Sequence, residues 1–102
     1  MKPVLRNPLA RADIEDALDY YMQEAPHTAD AFLNALEKAV THIQRTPGTG
    51  SPQYAQELGL PGLRYWGLSK FPFSLFYIEQ ADYLWVIRLV HVSRDMPASL
   101  QD

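Results

Sequence analysis

The apolar and polar positions of the chain change period once, near its middle. Ala10, Ile14, Ala17, Leu18 and Tyr21 form one stripe at helical spacing, with Asp13, Glu15, Asp16 and Asp19 assigned to the other faces. Asn7 before Pro8 predicts the start, because Asn is a favoured N-cap and Pro suits the first helical turn. Ala25-Pro26 predicts the stop, since a residue before Pro avoids the helical region. A second stripe follows at Ala29, Phe32, Leu33, Leu36, Val40 and Ile43. The link between the stripes is short enough to make the two helices an antiparallel hairpin.

After the breaker cluster Thr46-Pro47-Gly48-Thr49-Gly50-Ser51-Pro52 the helical period ends. Residues 53–61 read as a loop with a short turn at Leu58-Gly59. Three strands are then expected: Leu63–Leu68, Phe73–Ile78 and Tyr83–Val92, joined by turns at Lys70-Phe71-Pro72 and Glu79–Asp82. Short connections make them an antiparallel meander. Val4-Leu5-Arg6 is a brief first strand. The expected fold is α+β, in the order β-α-α-β-β-β, with the hairpin packed on a small, mostly antiparallel sheet. Neither half could bury its apolar face alone, so residues 1–102 are expected to be one domain.

The run Leu84–Asp95 is the centre of this scheme. It is too apolar for an edge strand, yet Arg88 interrupts it and His91, Arg94 and Asp95 close it. Alternation places Trp85, Ile87, Leu89 and His91 on one side, and Val86, Arg88, Val90 and Val92 on the other. With the helices covering one face, Arg64 and Arg88 are expected to lie together on the opposite one. A buried guanidinium needs partners, so Arg88 either pairs with an acid such as Glu79 or binds an anion. Trp66, Tyr65, Tyr77 and Tyr83 suit stacked bases, a partner's side chains or ordinary sheet packing.

Composition narrows the chemistry. The 102 residues carry a net charge of −3 and no cysteine, which excludes disulfides and thiolate zinc sites. The acidity weighs against broad nucleic-acid binding by field alone. The acids concentrate in the first helix, while Arg64, Lys70, Arg88 and Arg94 outnumber Glu79 and Asp82 later on. The early acids read as a solvated helix face and not as metal ligands. His27 and His42 read as surface residues. There is no phosphate-binding glycine loop, no dinucleotide fingerprint and no H-E-x-x-H. His91 and Ser93 lack the G-x-S-x-G context of a nucleophile and base. No cofactor or metal is expected. No signal segment and no membrane-length apolar run is present, so a soluble cytoplasmic protein is the expectation.

One ordered set of short signals spans nearly the whole chain. It comprises Pro8 to Tyr21, Pro26-x-x-Ala29-x-x-Phe32, Pro47 through Gly50, Leu58-Gly59 and Leu63-Arg64. Lys70-Phe71-Pro72-Phe73, Phe76-Tyr77 and Ile87–His91 with Ser93-Arg94-Asp95 complete it. In this order the chain resembles the RelE/ParE superfamily of toxins from type II toxin–antitoxin modules. Its last motif is most similar to the ParE, or plasmid stabilisation, branch.

The resemblance implies a cognate antitoxin partner that wraps the toxin, with promoter DNA bound only through that antitoxin. It implies one of two activities. A RelE-like member would cut ribosome-bound mRNA, with Arg64 and Arg88 on the phosphate and His91 as an acid/base group. A ParE-like member would poison DNA gyrase without being a nuclease. The tail after Asp95 has no Tyr or His, and the chain is acidic; both favour the ParE-like reading. A remnant that only binds its antitoxin is a third reading. Trp66, Lys70, Arg94 and Asp95 are the candidates for contact with a partner or target.

Overall fold

The computed structural model describes residues 1–93. Its elements are β1 (Val4–Arg6), α1 (Pro8–Glu24), α2 (Pro26–Arg45), a 3-10 turn at Pro47–Thr49, β2 (Leu63–Gly67), β3 (Phe73–Glu79) and β4 (Leu84–His91). Both helices begin where the prolines place them. The Asn7 side chain accepts a hydrogen bond from Leu9 N–H at 2.7 Å and caps α1, with Pro8 in the first turn. No side chain caps α2, which opens on Pro26. The strands end within a residue or two of the expected bounds, with Leu68, Tyr83 and Val92 falling outside them.

The four strands form one sheet in the order β1-β4-β3-β2. The β2–β3 and β3–β4 pairs are antiparallel, and β1 lies parallel to β4. The long run Leu84–His91 is therefore an inner strand, which its apolar character requires. The helix pair lies on one face. Ala10, Ile14 and Ala17 of α1 and Phe32, Leu36, Ala39 and Ile43 of α2 pack there against Leu75, Tyr77, Leu84, Val86 and Leu89. On α2 the inward stripe includes Ala39, while Leu33, placed on it by spacing, is 40% exposed.

The opposite face is not left open. The segment after Ser51 folds over it, so that Tyr54, Leu58 and Leu60 cover Leu63, Phe76 and Val90. A Ser51–Tyr65 bridge ties this segment to the outer edge of β2. The loop therefore supplies a second small core and closes an edge that would otherwise be free to pair with another chain.

A bulge in β4 overturns the simple alternation. Tyr77 pairs with Val86, but Phe76 pairs with Arg88, so Ile87 is an extra residue in the ladder. Leu84, Val86 and Leu89 consequently share the helix-facing core, and Ile87 and Val90 share the other. The expected division of β4 into 85/87/89/91 and 86/88/90/92 is therefore wrong beyond Val86.

Candidate functional site

Arg88 is held by α1. Its Nε donates to Asp13 Oδ2 at 2.7 Å and its Nη2 to Asp13 Oδ1 at 3.0 Å. Asp13 Oδ2 also accepts from Leu89 N–H at 3.0 Å. Both side chains are largely enclosed, at 19% exposure for Arg88 and 17% for Asp13. Arg88 thus pairs with Asp13 and not with Glu79, whose carboxylate pairs with Lys2 at 2.8 Å. The arrangement has a structural cause. β1 ends at Arg6 and the chain turns into α1, so β4 loses its neighbour after Val86. Asp13 supplies acceptors where the missing strand would have supplied carbonyls, and the fork geometry of arginine matches its two oxygens.

Arg64 is committed elsewhere. Its Nη1 donates to Gly50 C=O at 2.8 Å. The Tyr77 hydroxyl binds the same turn, donating to Pro47 C=O at 2.7 Å and accepting from Gly50 N–H at 3.0 Å. Tyr77 is fully buried, and this burial pushes its pKa above the ordinary 10.0. Arg64 and Arg88 therefore do not form the shared basic patch that alternation predicts. β3 runs between them, and their guanidinium groups are drawn to different elements.

The tight approach at Gly50 leaves no room for a side chain. A Cβ there would lie 2.5 Å from the Tyr77 hydroxyl and 2.8 Å from Tyr65 C=O. Gly50→Ala is expected to destabilise the protein by about 1–3 kcal/mol, as overpacked sites do. The check is a denaturant midpoint with unchanged slope.

The remaining sequence candidates are spread over the sheet. His91 packs edge-on against Phe73, with ring centroids 5.3 Å apart, and Ser93 N–H approaches its Nδ1 at 3.3 Å. His91 also lines a cleft of ≈ 540 Å³ between α1 and the end of β4, together with Asp13, Asp16, Tyr20, Tyr21 and Phe73. Trp66 does not stand beside Arg88. It stacks on His42 at 4.4 Å, and the His42 ring lies 3.1 Å from Thr49 Oγ1. The spacing of α2 alone assigns His42 to plain surface, and nothing in the sequence signals this stack.

Lys70 is exposed in the β2–β3 turn, with φ +69°, a conformation that costs a side-chain-bearing residue energy. Lys70→Gly is expected to raise stability by about 1 kcal/mol or less. A thermal melt checks it, and loss of activity in that variant would assign the lysine side chain a role in function. Arg94 and Asp95 lie outside the described residues. Among the described residues no group of His, Asp and Glu could hold a metal ion, and no helix is long and apolar enough to cross a membrane.

The architecture is a helix pair packed on a four-stranded, mostly antiparallel sheet. A chain of a solved structure described as a chromosomal ParDE TA system from P. aeruginosa superposes with a TM-score of 0.76. That match covers 91% of this chain and 98% of the other at 23% identity. At that identity the match speaks for the fold. The family is given by sequence: residues 4–96 match the model for the ParE toxin of type II toxin–antitoxin system, parDE. The chain belongs to the ParE toxin family. Among curated proteins none matches it.

Proposed function

We propose that this chain, acting as one domain over residues 1–102, inhibits DNA gyrase and is neutralised by a cognate antitoxin. Membership of the ParE family supports the toxin class, and the ParE branch is the one that acts on gyrase. The observation that favours this over mRNA cleavage is the state of the two sheet arginines. A phosphate-cleaving site needs cations aimed at one developing charge. Arg88 is instead forked onto Asp13, and Arg64 is bound to the Gly50 carbonyl. Trp66, Lys70, Arg94 and Asp95 are the positions at which contact with the target is to be sought.

Induced expression in a bacterial host is expected to stop growth while ribosome-bound mRNA stays intact. Co-expression of the antitoxin encoded beside the gene is expected to restore growth. Rapid cutting of ribosome-bound mRNA, abolished by Arg64→Ala or Arg88→Ala, would replace this reading with the interferase one. Expression without any growth effect would leave only antitoxin binding.

A further inference from the structure

β1 is an outer strand of the sheet, and its free side is open over a defined stretch. Leu84 N–H donates to Pro3 C=O and Asn7 N–H to Val86 C=O, both at 2.9 Å. In that parallel register Leu5 turns both its main-chain groups to β4, and Val4 and Arg6 turn theirs outward. Among the described residues nothing pairs with the N–H or C=O of Val4 or Arg6. The stretch is closed off at both ends. Lys2 C=O is taken by Gln44 Nε2 at 2.8 Å, and Pro8 has no N–H to offer.

The side chains beside this edge are apolar. Val4 packs into the core under the helices. Leu5 and its ladder neighbour Trp85 therefore look to the opposite face. The segment after Ser51 covers Leu63, Phe76 and Val90 on that face, and its apolar cluster does not extend to Leu5 or Trp85. Leu5 is left 46% exposed, and the Trp85 ring meets Tyr83 edge-on, with centroids 6.1 Å apart.

The free groups form a pattern that is its own complement. An antiparallel neighbour exchanges two hydrogen bonds wherever two outward-facing residues stand opposite each other. In a second copy of this chain, related by a two-fold axis at Leu5, Val4 stands opposite Arg6 and Arg6 opposite Val4. All eight free groups of the two copies then pair. Leu5 faces its own counterpart at the axis, with Cα atoms about 4.5 Å apart, and the two leucines share one face. Arg6 is the one charge in the stretch, and it meets Val4 instead of another arginine. Because Gln44 and Pro8 end the ladder, one copy satisfies the edge and no further strand can add.

We infer that the β1 edge is a self-association surface, at which two copies pair Val4–Arg6 antiparallel and join their sheets into one. The inference does not depend on the target of the toxin. So short an edge buries less than a standard interface, so the dimer is expected to be weak, forming at about 10–100 μM.

Sedimentation velocity on the purified chain tests it. The mean mass is expected to rise from 11.6 kDa toward twice that value as concentration increases. Leu5→Lys sets two like charges at the axis from an exposed position, and is expected to raise the concentration needed at least tenfold with an unchanged thermal melt. In the wild type, hydrogen exchange of the Val4 and Arg6 amides is expected to slow as the dimer fills, a readout that needs no variant. A mass that stays at 11.6 kDa up to about 1 mM overturns the inference, since that is the limit of weak association. A dimer that forms with the exchange of both amides unchanged also overturns it, because the contact then lies elsewhere.

Discussion

Asp13→Ala is expected to lower stability by about 3 kcal/mol, near the lower end of what removing one partner from a buried ion pair costs. Among the described residues three hydrogen bonds end on this carboxylate, two from Arg88 and one from Leu89 N–H. Without it the guanidinium loses this carboxylate in a site only 19% exposed, and a main-chain donor loses its acceptor. Asp13→Asn separates the two parts. The amide oxygen still accepts from Leu89 N–H while the charge is gone, so the loss is expected to be about half as large. A double-mutant cycle with Arg88→Met, read from denaturant midpoints, measures the coupling. A coupling energy near zero would mean that the pair does not hold α1 on β4.

Tyr77→Phe is expected to cost about 2–3 kcal/mol, because it deletes one hydroxyl and strands Gly50 N–H and Pro47 C=O. The ring volume is unchanged, so the loss isolates the hydrogen bonds from the packing. The same substitution changes the response to alkali. Burial raises the Tyr77 pKa above 10.0, so the folded state holds this proton more tightly than the unfolded state. The stability tied to it is fully present below pH ~10 and is lost as pH rises through the folded pKa. Stability measured from pH 9 upward is therefore expected to fall more steeply in the wild type than in Tyr77→Phe. Parallel curves would contradict the buried, proton-retaining phenol.

Much of the architecture was legible in the chain because local signals agreed. Asn7-Pro8 and Ala25-Pro26 mark both helix starts, and the strands follow from apolar runs between turn residues. The candidate site was less legible, for specific reasons. Ile87 inserts one residue into β4, and a single insertion reverses every facing after it. No residue type in Val86-Ile87-Arg88 announces the insertion. Asp13 was hidden among Glu15, Asp16 and Asp19, although it carries a usable sign. It falls on the buried stripe of α1, three residues after Ala10 and four before Ala17, where a solvated acid does not belong. That Arg88 needed a partner was readable, but Glu79 was the wrong choice. The N-terminal strand brings Lys2 to Glu79, and that pairing depends on a parallel β1–β4 contact across more than 70 residues of chain. The cover over the second face was missed because 53–61 lacks a period, though Tyr54, Leu58 and Leu60 are apolar enough to form it.

The most direct measurement is a DNA supercoiling assay with purified gyrase, relaxed plasmid and the purified protein. The account predicts that supercoiling stops and that gyrase is trapped on cleaved DNA, with Arg64→Ala affecting inhibition only as far as it affects folding. Full supercoiling in the presence of folded protein, together with cleavage of ribosome-bound mRNA, would contradict it.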